Sequence, residues 1–283
     1  MDKKKIYQSA PLPFMGQKRM FVKEFRKVLG QFPDDAVYID LFGGSGLLAH
    51  VTRCEKPAAR VVYNDFDNYR QRLANVGRTN ALLAELREMV RGCPRGKLLP
   101  KELHERIVRR LEAEEAGGFV DYITLSSSLL FSMKYAVSLA ALRKESFYNN
   151  VKLSDYACEG YLAGLEVVSM DYRELVSQYQ GVPNVVYLVD PPYLSTEVGT
   201  YRMRWRLSDY LDVLTILRGK SYVYFTSNKS DILELCQWIG RNHWIGNPFD
   251  GATKAEMPRT MNYNAAYTDM MLYKKETQIP FKR

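Results

Sequence analysis

The stretch "NVVYLVDPPY", residues 184–193, limits the fold more than any other part of the chain. Val185 to Val189 is an unbroken run of branched and aromatic side chains, the composition of a strand buried on both faces of a sheet. Pro191 and Pro192 carry no amide proton and cannot extend a hydrogen-bonded ladder, so the strand has to end at Asp190. At its carboxyl edge stands a short, stiff turn that presents a carboxylate and, at Tyr193, an aromatic ring.

Other segments read as companions to this strand. "AVYIDLFGGSGLLAHVT" is a β-run from Val37 to Leu41, then a glycine turn, then the apolar start of a helix. "ARVVYNDFDNY" is a second strand ending in acids, and "LEVVSMDY", "SYVYFTSN" and "AAYTDMMLYKK" have the same β-character. Helical spacing marks residues 16–29, "LSDYLDVLTIL" and "SDILELCQWIG". Strands that alternate with helices predict an α/β fold with a largely parallel sheet. From Tyr69 to Glu115 the chain is instead charged and helical, and the apolar stretch "DYITLSSSLLFSMKYAVSLAALRK" follows. The expected organisation is one domain from residues 1–68 and 160–283, with a largely helical insert at 69–159. Ligands of parallel sheets bind beyond the carboxyl ends of the strands. Asp40 to Gly46, Asp65, and Asp190 to Tyr193 all fall there, which predicts a shared cleft.

Each of these pieces has its own chemistry. In "DLFGGSG", Asp40, Phe42, Gly43, Gly44, Ser45 and Gly46 form a turn whose glycines let backbone approach a ligand closely. Asp65 closes the second strand about 20 residues later, where an acid can accept hydrogen bonds from ribose hydroxyls. That pair suits a nicotinamide dinucleotide as well as other nucleoside cofactors. Asp190 and the Pro191 carbonyl are two acceptors held side by side by a rigid turn, with Pro192 completing it. Together they can take both hydrogen bonds of an amino group, while Tyr193 stacks on the ring that carries it. The turn is therefore a pocket for an aromatic amine such as adenine.

Asp190-Pro191-Pro192-Tyr193 resembles the catalytic motif of S-adenosylmethionine-dependent amino-methyltransferases that act on nucleic-acid bases. "DLFGGSG" is similar to their cofactor turn, and "PFMGQK", residues 13–18, to the amino-terminal cofactor motif of the Dam-like DNA adenine methyltransferases. The resemblance implies a Rossmann-like methyltransferase sheet and a cofactor, S-adenosyl-L-methionine, held by Phe14, Lys18, the glycine turn, Asp65, Asp171, Tyr172 and Asp190. It implies methyl transfer to the exocyclic N6 of adenine in DNA after base flipping. The motif order is that of the alpha class, whose insert recognises the target. The insert here lacks the family's Asn-Gly and arginine signature, although Phe147 to Val151 echo its later part. The family's usual target sequence is accordingly not implied.

A net charge of +8 fits an anionic partner such as DNA. "TYRMRWR", residues 200–206, interleaves Tyr201, Arg202, Arg204, Trp205 and Arg206, a pattern suited to phosphates and bases. Lys134, Arg143 and Lys144 are second candidates within the insert. The arginines between Arg70 and Arg110 alternate with glutamates and read as a solvated, salt-laced face. Four scattered cysteines and three isolated histidines suggest neither a disulfide framework nor a metal site. No signal-peptide core or long apolar run is visible, and a cytoplasmic protein is expected. Three other readings stand beside adenine in DNA: the exocyclic amine of cytosine, adenine in RNA, and a catalytically silent DNA-binding relative. A nicotinamide dehydrogenase would share the glycine turn but leave Asp-Pro-Pro-Tyr unexplained.

Overall fold

The structure is a computed structural model that describes residues 6–131, 134–192, 205–228, 230–241, 246–262 and 265–276. The chain divides into two compact units: Met1–Ser9 with Gln17–Asp67 and Leu162–Arg283, and Ala10–Gly16 with Asn68–Tyr161. The "PFMGQK" motif is thus split between them.

The first unit is built on a seven-stranded sheet. Its strands are β1 (Val37–Asp40), β2 (Arg60–Asn64), β3 (Glu166–Val168), β4 (Val185–Val189), β5 (Ser221–Ser227), β6 (Thr253–Asn262) and β7 (Ala265–Lys274). They lie in the order β3-β2-β1-β4-β5-β7-β6. The pairs among β1 to β5 are parallel, whereas β7 runs antiparallel to both β5 and β6. An α/β fold with a largely parallel sheet is what the alternation of segments led us to expect. The order reverses at β1 and β4, so the crevice of the sheet opens at their carboxyl ends.

Both faces of the sheet are covered. On one, α1 (Val22–Leu29) and α2 (Leu47–Glu55) pack Phe25, Leu29 and Val51 against Tyr38, Leu188, Phe225 and Met271. On the other, α8 (Tyr172–Gln178) and α9 (Leu207–Leu217) pack Leu175, Val213 and Leu217 against Ile39, Tyr187 and Val189. All five residues of β4 are buried, the expected consequence of being sandwiched by helices. The helix α10 (Ile232–Arg241) adds Ile232, Cys236 and Ile239 against Tyr210 and Leu214 of α9.

The second unit is helical: α3 (Tyr69–Ala74), α4 (Val76–Met89), α5 (Lys101–Ala116), α6 (Tyr122–Leu129) and α7 (Leu139–Leu142). It has its own apolar core, in which Leu83, Leu86, Ile107, Leu111, Leu125, Leu129 and Phe147 are almost fully buried. Among its nine clustered arginines, Arg72, Arg78, Arg87, Arg91 and Arg110 are ion-paired with Asp121, Glu114, Asp155, Glu88 and Glu85. Among the described residues, no helix is long and apolar enough to cross a membrane, and no group of acids, histidines and cysteines could hold a metal ion.

Candidate active site

Side chains alternate along a strand, so residues two apart share a face. Tyr38, Tyr63, Leu188 and Met271 belong to the core beneath α1 and α2. Asp40, Asp65, Asp190 and Asp269 each lie two positions away from one of them. Four carboxylates therefore continue that one face beyond its apolar core, to the carboxyl edge of β2, β1 and β4. Asp269 reaches the same edge from the antiparallel strand β7, opposite Ser227, the last residue of β5.

Asp40 is the most unusual member of this row. It is 0% exposed, and among the described residues neither of its carboxylate oxygens has a hydrogen-bond partner. Burial, and then the nearby charge of Asp190, push its carboxyl up to about 8, with the Ala49 amide in the first turn of α2 acting the other way from beyond hydrogen-bonding range. A buried carboxyl without donors is costly when ionised, so Asp40 is held neutral below that pH.

The glycine turn is shaped from beneath. A Cβ on Gly43 would stand 2.2 Å from a ring carbon of Tyr63 and 2.9 Å from the Asn64 carbonyl oxygen, which no side chain tolerates. Gly46 caps α2 at φ 72°, in the left-handed region that glycine enters without strain. The Tyr63 hydroxyl donates to the Gly44 carbonyl at 2.8 Å and lies 3.0 Å from Asp65 Oδ1, so one phenol ties the turn to the acid of β2. Asn64 donates to the carbonyls of Leu41 and Met170 and accepts from the Met170 amide, which fixes β1 and β3 around the turn.

Asp190 sits at the mouth of β4 with the Lys18 ammonium 2.7 Å from its Oδ2. Burial raises its carboxyl, Lys18 opposes this, and Asp269 adds to it, with a net rise. Lys18 is itself buried, 6.0 Å above the Phe225 ring. The buried Pro191 and Pro192 follow. Tyr210 of α9 donates to the Pro192 carbonyl at 2.7 Å, so the turn is braced without engaging the Pro191 carbonyl in that bond.

At the far side of the glycine turn lies an aromatic cluster. Phe42 is 5.3 Å from Tyr172 and 5.1 Å from Trp205, and Trp205 stacks on Tyr172 at an interplanar angle of 17°. Asp171 caps α8 by accepting from the Arg173 amide at 2.8 Å. Trp205, expected from the sequence as a ring for nucleic-acid bases, is half-buried and in ring contact with Phe42, Tyr172 and Tyr210. Arg206 is exposed, and its backbone amide, just ahead of α9, donates to Asp209 Oδ2 at 2.6 Å. Lys134 and Arg143 are exposed but paired with Glu145 and Glu112, and Lys144 is exposed. Phe14 meets Tyr69 edge-on within the helical unit. Tyr193, Tyr201, Arg202 and Arg204 lie outside the described residues.

Tyr63 and Asp269 belong to this site yet carry no motif. Parity could have flagged Tyr63, next to the end of β2 on the core face, whereas Asp269 lies mid-way along β7 and reaches the site only through its pairing with Ser227.

A sheet of this order, with an acid-lined crevice at its switch point, is the frame of a Rossmann-like transferase, and the chain belongs to the methyltransferase family. It is 35% identical to the "Putative methyltransferase" of Haemophilus influenzae, over 97% of this chain and 95% of that protein. No family model matches the sequence.

Proposed function

We propose that the protein transfers a methyl group from S-adenosyl-L-methionine to the exocyclic N6 of adenine in DNA. The observation that carries the cofactor assignment is the row of acids at the sheet's carboxyl edge, with Asp40, Asp65 and Asp269 buried and Asp190 partly exposed. S-adenosyl-L-methionine supplies a methyl group on a positively charged sulfonium, beside an ammonium and a ribose. A bound cation would favour the ionised form of Asp40, which is neutral without one, and the other acids of the row repel the pyrophosphate of a nicotinamide dinucleotide, which speaks against the dehydrogenase reading. Asp40 would face the cationic end of the cofactor, Gly43 and Gly44 would let backbone approach it, and Asp65 would accept from the ribose. Phe42 and Tyr172 would wall its base, and Phe14 and Lys18 belong to the same assignment.

The target amine is assigned to Asp190 and the Pro191 carbonyl. Two acceptors aligned on one amine hold its lone pair towards the methyl group, and catalysis rests on that alignment. Tyr193 would stack on the base once it is flipped from the duplex. The present Lys18–Asp190 pair means that one carboxylate oxygen is engaged before any amine arrives, so Lys18 must shift or share when substrate binds. The net charge of +8 supports a polyanionic substrate.

The test is transfer of label from S-adenosyl-L-methionine to unmethylated plasmid DNA and, in parallel, to RNA. Products are digested to nucleosides and identified by mass spectrometry, with Asp190→Ala as control. N6-methyladenosine in DNA that disappears in the variant is the expected result. Label on cytosine or only in RNA moves the substrate, and none in any base despite cofactor binding leaves the silent-binder reading.

A further inference from the structure

The β6–β7 ladder continues past Ser227 and carries a charged pair at the edge of the carboxylate row. Arg259 Nε donates to Asp269 Oδ2 at 2.9 Å, with side-chain exposures of 25% and 5%. Register places Met257 opposite Asp269 and Arg259 opposite Tyr267. Met257 packs on the core with Met271 and Phe225, so Arg259, Tyr267 and Asp269 extend the same face towards its rim. Among the described residues, this part of the site carries two ion pairs, Lys18 with Asp190 and Arg259 with Asp269.

Building on the reading of Asp190 as the acceptor of the target amine, we infer that Arg259 is a positioning residue: by holding the Asp269 carboxylate, it limits the second negative charge felt at Asp190 and keeps Lys18 seated there. The reason is electrostatic. Asp190 follows β4 and Asp269 pairs with Ser227 at the end of the adjacent β5, on the same sheet face as Asp190, and the Asp269 charge adds to the rise of the Asp190 carboxyl even with Arg259 in place. Without Arg259, Asp269 loses that cation, repels Asp190 more strongly and competes for the Lys18 ammonium. Both effects act in one direction: Asp190 holds its proton to higher pH and, once protonated, is a poorer acceptor for an amine. Among the described residues, Asp40 on β1 and Tyr224 on β5 also feel the charge of Asp190, and Tyr267 feels those of Asp269 and Arg259.

The experiment is a titration of the full-length protein, 13Cγ-labelled at aspartate, followed by NMR with Asp190 assigned through Asp190→Asn. It needs neither cofactor nor DNA, so a failed transfer assay and a failed titration are separate results. Arg259→Ala should raise the Asp190 midpoint by about one pH unit, tenfold in proton affinity. Arg259→Lys should restore most of it, and Asp269→Asn should lower the midpoint below that of the wild type. An unchanged midpoint in a folded Arg259→Ala protein overturns the inference. If that variant does not fold, an unchanged midpoint in Asp269→Asn does so.

Discussion

Two regions of this molecule bury aspartates, and they treat them in opposite ways. In the helical unit, Asp121 is met by the Arg72 guanidinium at 3.0 Å, by the Thr124 hydroxyl at 2.7 Å and by the Thr124 amide at 3.1 Å. On the sheet edge, Asp40 is as deeply buried and has no hydrogen-bond partner among the described residues. A carboxylate whose acceptor sites are filled by its own chain helps to specify the fold. One left without donors costs stability, and under the proposed function a bound cofactor would complete it. The difference separates structural charge from functional charge more sharply than either motif or composition.

The contrast would break most visibly at Asp121. Asp121→Ala leaves Arg72 buried without its carboxylate and should destabilise the protein by about 3–5 kcal/mol, read from the midpoint of urea unfolding. An effect near zero would mean that the filled acid is not structural. Glycines offer a second comparison. Gly43→Ala forces a Cβ against Tyr63 and Asn64 and should cost about 1–3 kcal/mol, with loss of cofactor binding by calorimetry. Gly77→Ala, in α4 with open space around it, should instead stabilise by about 0.5–1 kcal/mol.

Asp40 sharpens the comparison through pH. Its folded value near 8 lies above the unfolded range, so the folded state retains a proton that the unfolded state has released. The sign follows: the Asp40 contribution to stability is fully present below about pH 4, falls by about 1.4 kcal/mol per unit as pH rises towards 8, and then levels off. Asp40→Asn should remove this slope from a series of unfolding curves while weakening cofactor binding, and an unchanged slope would show that the acid is ionised throughout. The smallest effects belong to the exposed ion pairs of the insert. Lys134→Ala and Arg143→Ala should each leave the midpoint of thermal melts essentially unchanged.

Much of this architecture was legible beforehand because strands and turns have local signatures. Val185 to Val189, the glycine turn and the Pro-Pro stop are each specified within a few residues. The strand β6 was not foreseen: Pro258 sits inside it, and proline normally demotes a strand reading. It is tolerated because β6 is the edge of the sheet, paired on one side with β7. Trp205 was legible as an aromatic among arginines, but its stacking on Tyr172 depends on a packing partner 33 positions away in sequence.

The residue pattern by itself determined an α/β chain with an acid at the mouth of β1, another after β2 and a third at β4, because period, proline and glycine act locally. Only the tertiary structure decided that these acids share one sheet face with Asp269, that Lys18 rests on Asp190 and that Asp40 has no donor among the described residues. Strand order and register bring together residues up to more than two hundred positions apart, and charge interactions depend on distance in space and on burial, neither of which local sequence encodes.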